Sequence, residues 1–283
     1  MLLARDKGWI GVDVGTHAVK LAQVERHGSK YALKEAVVIQ RFEPWQDEGG
    51  LAFSVQDSCE ELVAARTLGE GFYGRKTATA LPMAVCQLKS MHVPDGTQAE
   101  RRAAIATELA ATPVPGGGPR EFDFWPIDSA SENAAVVREN VSVLTLATDW
   151  TYRLAHDHRH AKLACHALDG IPLALGRAVR MCERADRTRP VAVLDWGYTR
   201  ATFCIVLDGR PLFVRCLRDC EFGMLMRAIS SSLGLTWDES RRVAMDFAAG
   251  PHAHDDEVEL QALVSEMVVT ALNQLVSELE KTM

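Results

Sequence analysis

Apolar and polar residues alternate along two stretches of the chain, residues 8–28 and 190–210. In each stretch an apolar strand leads into an Asp-x-Gly turn and out into a second strand, and a later Gly precedes a third apolar strand. Alternation with a period of two is typical of half-buried β-strands, so each stretch predicts a three-stranded meander. The turn at 13–15 recurs at 195–197, and this repeat indicates two related halves.

The chain between the meanders has a different pattern, which predicts an insertion. Apolar spacing predicts a helix at 54–68 and a strand at 77–82 that completes the sheet of the first half. A strand at 164–170 and a helix at 171–185 then return the chain to that half. The insertion has its own predicted elements, with strands at 85–93, 121–128 and 140–148 and helices at 97–111 and 149–161.

After the second meander the pattern is helical. Two short helices are expected, and Thr236 with Glu239 forms a capping box at the start of the second. An apolar face of the last predicted helix could be core, or it could be exposed and support self-association. At helical spacing this face comprises Leu260, Val264, Met267, Ala271, Leu275 and Leu279.

These patterns predict a duplicated α/β protein with an inserted α+β subdomain. Residues 1–84 and 163–190 form the first half, 85–162 the insertion, and 191–283 the second half. An inserted subdomain of this kind is expected to contact the rest of the chain mainly at its margins. With 283 residues and 47% apolar content, the chain is long enough to bury a substantial core.

The two Asp-x-Gly turns are candidates for a nucleotide site. Backbone N–H groups of a tight Gly turn can point at an anion, and a neighbouring Asp can hold a hydrated divalent metal against phosphates. We therefore expect Asp13 and Asp195 to face one cleft. The alternative is that both Asp residues only stabilise their turns, and Lys20 is either a solvated strand residue or a phosphate contact.

Histidines near the end of the insertion raise the alternative of a metal site. On a helix, His156 and His160 share one face while His158 points elsewhere. No Cys or acidic residue completes a tetrahedral set, so a solvated helix face is the preferred interpretation.

Charge and composition narrow the classes of function. The net charge is −7 and no basic stripe with interleaved aromatic residues occurs, which argues against a nucleic-acid partner. No stretch approaches the roughly 20 apolar residues that span a bilayer, and the start lacks a signal-sequence pattern, so we expect a cytoplasmic protein. The 7 Cys are scattered without CxxC pairs, which predicts reduced, structural thiols.

The repeated Asp-x-Gly hairpin resembles the two phosphate turns of the actin-like superfamily. Within its FtsA and PilM branch, the segment GVDVGTHAVKLAQVE resembles the opening of the PilM family, cytoplasmic proteins of type IV pilus assembly. The resemblance covers nearly the whole chain and implies two RNase H-like halves of the actin-like ATPase fold. Three later segments are similar to that family and follow its order: ALPMAVCQLKSMHVPDGTQAERRAAIATELA, DGIPLALGRAV and LDWGYTRATFCIVLDGRPLFVRCL.

The resemblance implies which residues would contact a nucleotide. ATP and Mg²⁺ are the implied cofactors, bound weakly or not at all, and no catalytic residue is predicted. Asp13 and Asp195 would act through Mg²⁺. The implied phosphate contacts are Gly15, Thr16, Lys20, Gly197 and Thr199.

Several departures from the family imply a degenerate site. Ile171 stands where relatives have an acidic residue that orients the attacking water, and isoleucine cannot accept a proton. Tyr198 stands at a normally small position, so its phenol would crowd the phosphate. Only Gly223 matches a Gly pair of the family, and the family's adenosine-contacting loop has no counterpart after the last helix. The second half is thus predicted to be incomplete, in either a natural short form or a piece of a longer chain.

The resemblance therefore predicts a scaffold rather than an enzyme. Its partner would be the cytoplasmic tail of a PilN-like inner-membrane protein, and the chain would lie peripherally at that membrane only through the partner. We expect the tail to bind as an extended segment in a groove between the insertion and the first half, near residues 83–94, by adding to a strand edge.

Two alternatives remain open. The chain could be the cytoplasmic domain of a GspL-like type II secretion protein, which shares the architecture and continues into a membrane helix. It could also be an active ATPase or small-molecule kinase of the superfamily, against which Ile171 and the missing adenosine loop speak. Pilus or secretion genes beside its gene would favour the first two interpretations over the third.

Overall fold

The computed structural model describes residues 6–28, 30–45, 55–111, 118–127, 140–182, 188–249 and 258–281. The chain divides into two compact units. Unit 1 comprises Met1–Val191 and Val206–Leu212, and unit 2 comprises Ala192–Ile205 and Phe213–Met283.

Unit 1 is built on a six-stranded sheet and a separate three-stranded sheet. Its elements in chain order are β1 (Asp6–Lys7), β2 (Ile10–Val14), β3 (Ala18–His27), β4 (Lys30–Gln40), α1 (Cys59–Leu68), β5 (Lys76–Leu81), β6 (Cys86–Met91), α2 (Gln98–Ala111), β7 (Arg120–Pro126), β8 (Val141–Ala147), α3 (Thr148–His160), β9 (Ala164–Gly170) and α4 (Ile171–Cys182). The larger sheet has the order β1-β3-β2-β5-β9, with β4 also paired to β3. The meander β2-β3-β4 is antiparallel, whereas β2 pairs with β5, and β5 with β9, in parallel.

Parallel pairing brings the carboxyl ends of β2, β5 and β9 to one edge of the sheet. Asp13 is opposite Ala80, and Ala80 is opposite Asp169. On the other side of β2, Asp13 is opposite Lys20 of β3. Because opposite residues in a sheet point to the same face, Lys20, Asp13, Ala80 and Asp169 form one row across four strands.

The other face of this sheet forms the core of unit 1. Ile10, Val12 and Val14 of β2 are buried in strict alternation, as the apolar pattern predicts. Helices α1 and α3 cover this face, and Leu62 and Leu154 are buried there. The buried row and the polar row therefore lie on opposite sides of the same strands.

The smaller sheet has the order β6-β8-β7 and lies wholly within the predicted insertion. Both of its ladders are antiparallel. One face packs on α2 through a cluster that includes Ile105, Val141 and Val143. Its other face approaches β9, since a Cβ on Gly170 would lie 2.4 Å from a methyl carbon of Leu144. A larger residue at 170 would require the Leu144 side chain to move.

The tip of the second meander around Gly209, residues 206–212, belongs to unit 1. Trp125 Nε1 donates to the carbonyl oxygen of Pro211 over 2.9 Å. A Cβ on Gly176 of α4 would lie 2.4 Å from the carbonyl oxygen of Gly209, so this helix and the tip touch backbone to backbone. Gly209 also has a φ of 78°, which favours glycine.

Unit 2 combines a three-stranded sheet with three helices. Its elements are β10 (Val191–Trp196), β11 (Ala201–Leu207), β12 (Arg210–Leu217), α5 (Phe222–Leu233), α6 (Trp237–Ala249) and α7 (Val258–Glu280), with the sheet in sequence order. Val191 and residues 206–212 of these strands belong to unit 1. The predicted capping box is present at α6, where Thr236 Oγ1 donates to Glu239 Oε2 at 2.6 Å and accepts from the Glu239 N–H group at 3.4 Å. Among the helices of the described residues, none is long and apolar enough to cross a membrane.

The structure confirms the two predicted meanders and every helix and strand predicted between them, with shifts of a few residues at their ends. The predicted helices and strands extend over residues 54, 128 and 183–185, which lie outside the described residues. The two meanders belong to separate sheets. The domain boundaries at 84, 162 and 190 stay predictions.

Candidate functional site

The first Asp-x-Gly turn closes the end of β2 and β3. The Gly15 N–H group donates to the carbonyl oxygen of Ala18 at 3.0 Å, and a Cβ on Gly15 would lie 2.8 Å from the same oxygen. The turn therefore needs glycine, but this N–H group is already bonded within the hairpin. Thr16 is only 4% exposed, and its carbonyl oxygen accepts from the Trp45 N–H group at 2.8 Å. The roles of Gly15 and Thr16 in binding phosphate stay predictions.

Asp13 and Lys20, two of the predicted site residues, are paired with each other. Lys20 Nζ lies 2.8 Å from Asp13 Oδ2, with the two side chains 56% and 34% exposed. Exposed ion pairs contribute at most about 1 kcal/mol, so the pair by itself is weak. A Mg²⁺ ion at Asp13 would compete with the ammonium group for Oδ2.

Asp169, which the sequence analysis did not identify, lies in the same row as Asp13. One strand separates them, which places their Cα atoms about 10 Å apart. Asp169 Oδ1 accepts from the Gly170 N–H group at 3.0 Å, and the other carboxylate oxygen is ion-paired with Arg177 of α4. Both carboxylates of the row therefore have a cation of the chain itself beside them. The sequence offered one signal for Asp169. Like Asp13, Asp169 lies at the end of a predicted strand, and parallel strands of one sheet end at the same edge.

A buried arginine holds the first turn to the helices beneath it. Arg41 Nε donates to the carbonyl oxygen of Gly15 at 2.9 Å, and Nη2 donates to Ser58 Oγ at 2.8 Å. Its Nη1 lies 3.1 Å from Glu61 of α1, and its guanidinium lies 4.1 Å from the centroid of the Trp45 ring. Burial lowers the pKa of Arg41, and the charge of Glu61 opposes that shift.

The same network continues to α3. The Ser58 N–H group donates to Asp157 Oδ2 at 3.0 Å, and Asp157 is fully buried. Arg153 Nε lies 3.1 Å from the other oxygen of Asp157. The first turn is thus connected by polar contacts to both helices that cover the buried face of the sheet.

The second Asp-x-Gly turn, in unit 2, is bonded to the start of α5. The N–H group of Phe222 donates to the carbonyl oxygen of Gly197 at 3.1 Å, and that of Gly223 donates to the carbonyl oxygen of Tyr198 at 3.0 Å. The next N–H group, on Met224, donates to the carbonyl oxygen of Glu221 at 2.9 Å. The first N–H groups of a helix are its usual anion-binding groups, and here three of them already have protein acceptors.

The Tyr198 ring lies over the start of the same helix. A ring carbon of Tyr198 would lie 3.0 Å from a Cβ on Gly223, and the ring meets Trp237 edge-to-face at a centroid distance of 5.2 Å. The phenol therefore fills the space above Gly223. Asp195 and Thr199, the other predicted residues here, are half-buried at the end of β10 and in the turn. Whether Asp13 and Asp195 face one cleft stays a prediction, since they belong to different units.

A groove of about 300 Å³ separates the smaller sheet from the carboxyl ends of β5 and β9. Its apolar lining includes Leu81 from β5, Leu168 from β9 and Leu146 from β8. Three carboxylates also line it: Glu121, Asp123 and Asp169. The groove lies where the sequence predicts a binding site for an extended tail, beside residues 83–94.

Two further features lie at the groove. Thr151 lines it, but the Thr151 hydroxyl oxygen is buried and, among the described residues, has no hydrogen-bond partner. Strand β6, whose Cys86 lines the groove, pairs with β8 on one side, and no other described strand pairs with it. An unpaired strand edge is a template for an added strand.

The predicted histidine arrangement is present. His156 and His160 share an exposed face, with ring centroids 4.4 Å apart. His158 points away from that face and is fully buried, and its Nε2 lies 2.8 Å from Thr79 Oγ1. Within the part of the chain that the structure describes, no group of three or more His, Cys, Asp or Glu side chains could hold a metal ion.

No family model matches the chain, and no curated protein matches its sequence. Among solved structures it is similar to the PilM-PilN type IV pilus biogenesis complex, with a TM-score of 0.69 and 22% identity over 97% of this chain and 76% of that one. It also matches the cytoplasmic domain of EpsL, an inner-membrane component of the type II secretion system of Vibrio cholerae, with a TM-score of 0.46 and 9% identity over 77% and 74% of the two chains. Ethanolamine utilization protein EutJ from Carboxydothermus hydrogenoformans matches with a TM-score of 0.47 and 13% identity over 97% and 72%.

The match over nearly the whole chain confirms the predicted fold class. The protein has the duplicated α/β architecture of the actin-like ATPase fold. Within that class, its structure resembles PilM, as the sequence predicts.

Proposed function

We propose that this chain is a PilM-like scaffold of type IV pilus or related secretion assembly. It binds the cytoplasmic tail of a PilN-like inner-membrane protein in the groove beside β6. The observation that carries the proposal is that groove, about 300 Å³ in volume and located where the predicted insertion meets the first half. The structural match to a complex of PilM with PilN supports the choice of partner.

The groove has the groups that an extended peptide needs. Its leucine-lined floor can accept alternate apolar side chains, and the unpaired edge of β6 can bond to the peptide main chain. Carboxylates at the groove would favour a tail with basic residues.

The test is a titration of the chain with a synthetic peptide of the N-terminal cytoplasmic segment of an inner-membrane pilus protein encoded nearby. We expect saturable binding that Leu146→Glu weakens by about tenfold or more, because the new carboxylate would be desolvated in the groove. Leu33→Glu on β4 is the matched control, since Leu33 is 66% exposed and does not line the groove. Equal affinities of the two variants for the peptide would contradict the proposal.

The nucleotide site of the scaffold is proposed to be degenerate. Asp13 and Asp169 are neutralised by Lys20 and an arginine, and the start of α5 is bonded to protein carbonyls. Ile171 begins α4 without a carboxylate to orient water. Weak binding of ATP with Mg²⁺, or none, is the expected behaviour, and an active ATPase is the alternative.

Location and assembly follow from the proposed partner. The chain would be cytoplasmic and held at the inner membrane through the PilN-like protein, or through a corresponding secretion component in the GspL-like alternative. Self-association stays a further prediction. The apolar face of α7 on which the sequence based it contributes to the core, because Val264 and Leu275 are buried there. A different set on α7, Val269, Leu272 and Val276, is 51%, 41% and 50% exposed at helical spacing and could support self-association instead. Sedimentation velocity at several concentrations tests it.

A further inference from the structure

A second groove lies in unit 2, between α5 and α7, with a volume of about 430 Å³. On α5 its lining residues recur at the spacing of one helix face, from Glu221 through Met224 and Ala228 to Ser232. On α7 they recur in the same way, from Leu263 to Gln274. Each helix thus offers three turns, about 17 Å, to the groove.

The floor of the groove is apolar and adaptable. Leu225 belongs to the buried core that joins the two helices, with Val264 on α7. Met224 and Met267 line the groove above this core, and methionine side chains adjust to different partner shapes. Leu263 at the rim is 40% exposed. Two neighbouring helices with an apolar surface between them form the kind of groove that a third helix binds in helix-in-groove recognition.

The charges at the groove have one sign. Among the described residues that line it, the ionisable side chains other than the thiol of Cys220 are Glu221 and Glu266, and none is Lys or Arg. Glu266 and Gln274 of α7 are about 12 Å apart along the helix axis. Cys220, next to Glu221, packs with Leu275 at the Gln274 end, so the two carboxylates lie near opposite ends of the groove. They are separated by about two turns of a helix.

We infer that this groove docks a basic amphipathic helix of a partner protein. The helix would place apolar side chains at i, i+3 or i+4, and i+7 on the floor. Lys or Arg residues about two turns apart would meet Glu221 and Glu266. This surface is separate from the groove beside β6 and does not depend on the proposed PilN-like partner.

The probe is a labelled 14-residue peptide of leucine and lysine at helical spacing, titrated against the full chain by fluorescence anisotropy. A peptide with glutamate for every lysine tests charge, and one with serine for every leucine tests the apolar face. We expect the leucine-lysine peptide to bind at least about tenfold more tightly than either control. Equal binding of the serine peptide would mean that charge alone is responsible, and it would overturn the inference.

Variants of the chain locate the binding. Ala228→Trp should abolish binding by filling the groove, and the double variant Glu221→Gln with Glu266→Gln should weaken it about tenfold and reduce its salt dependence. Ala262→Trp and Glu280→Gln, at exposed positions of α7 outside the groove, are the matched controls and should leave binding unchanged. Sedimentation of the chain alone gives the remaining outcome. If the chain self-associates and Ala228→Trp abolishes this, the occupant is a second copy and the inference is wrong.

Discussion

Replacing Arg41 with methionine should strongly destabilise unit 1. The side chain is 1% exposed and makes four polar contacts: to the carbonyl oxygens of Gly15 and Asp57, to Ser58 Oγ and to Glu61. Methionine fills much of the same volume and makes none of these bonds. The substitution would leave Glu61 without its buried cation and the Ser58 hydroxyl without its donor. Breaking a buried ion pair by removing one partner costs about 3–5 kcal/mol, and we expect a loss in that range.

The assay is urea unfolding followed by tryptophan fluorescence. Trp45 and Trp150, whose ring centroids are 5.1 Å apart, lie beside Arg41 and report on the same region. Arg102→Met is the matched control. Arg102 also bonds a carbonyl oxygen and pairs with a carboxylate, but its side chain is 49% exposed, so its loss should cost less than about 1 kcal/mol. Similar losses of unfolding free energy in the two variants would refute the reasoning that burial makes Arg41 important.

Three further outcomes are expected. Incubation with Mg-ATP should release no phosphate above the level of Asp13→Ala, and turnover that disappears in Asp13→Ala would overturn the scaffold interpretation. Gly176→Ala should lower the free energy of unfolding by about 1–3 kcal/mol, because its Cβ would lie 2.4 Å from a carbonyl oxygen. Gly118→Ala, where a Cβ would meet nothing within 4 Å, should change it by less than about 0.5 kcal/mol, and equal effects would contradict the close contact. Burial lowers the pKa of His158 from 6.5, so the unfolded chain takes up the proton first and stability should fall as the pH drops below 6.5. Urea unfolding at pH 5 and pH 7 should show a smaller difference in His158→Gln, and an unchanged difference would exclude this residue as the cause.

Local patterns predicted the secondary structure well. The meanders follow from alternation and glycine turns, and the capping box of Thr236 with Glu239 follows from residues three apart. These features depend on neighbours in sequence, which the sequence displays directly. The fold class followed from the order of such segments and from their resemblance to a known family.

The contacts of the candidate site were harder to predict, because they join residues that are distant in sequence. Arg41 reaches both Gly15 and Glu61, and nothing near Arg41 in the sequence distinguishes it from a surface arginine. Asp169 became a site residue only once the parallel register placed it in the row of Asp13. That the Tyr198 phenol would crowd a phosphate stays a prediction, and its packing against Trp237 could be seen only in the structure.

The row across the unit 1 sheet has a consequence for regulation. Lys20 and Arg177 supply, as fixed parts of the polypeptide, the positive charge that a diffusible metal with its nucleotide would otherwise bring to Asp13 and Asp169. Under the proposed degeneracy of the nucleotide site, the chain would not sense the energy state of the cell at this position. Its binding to a membrane partner would then be the same at any ratio of ATP to ADP.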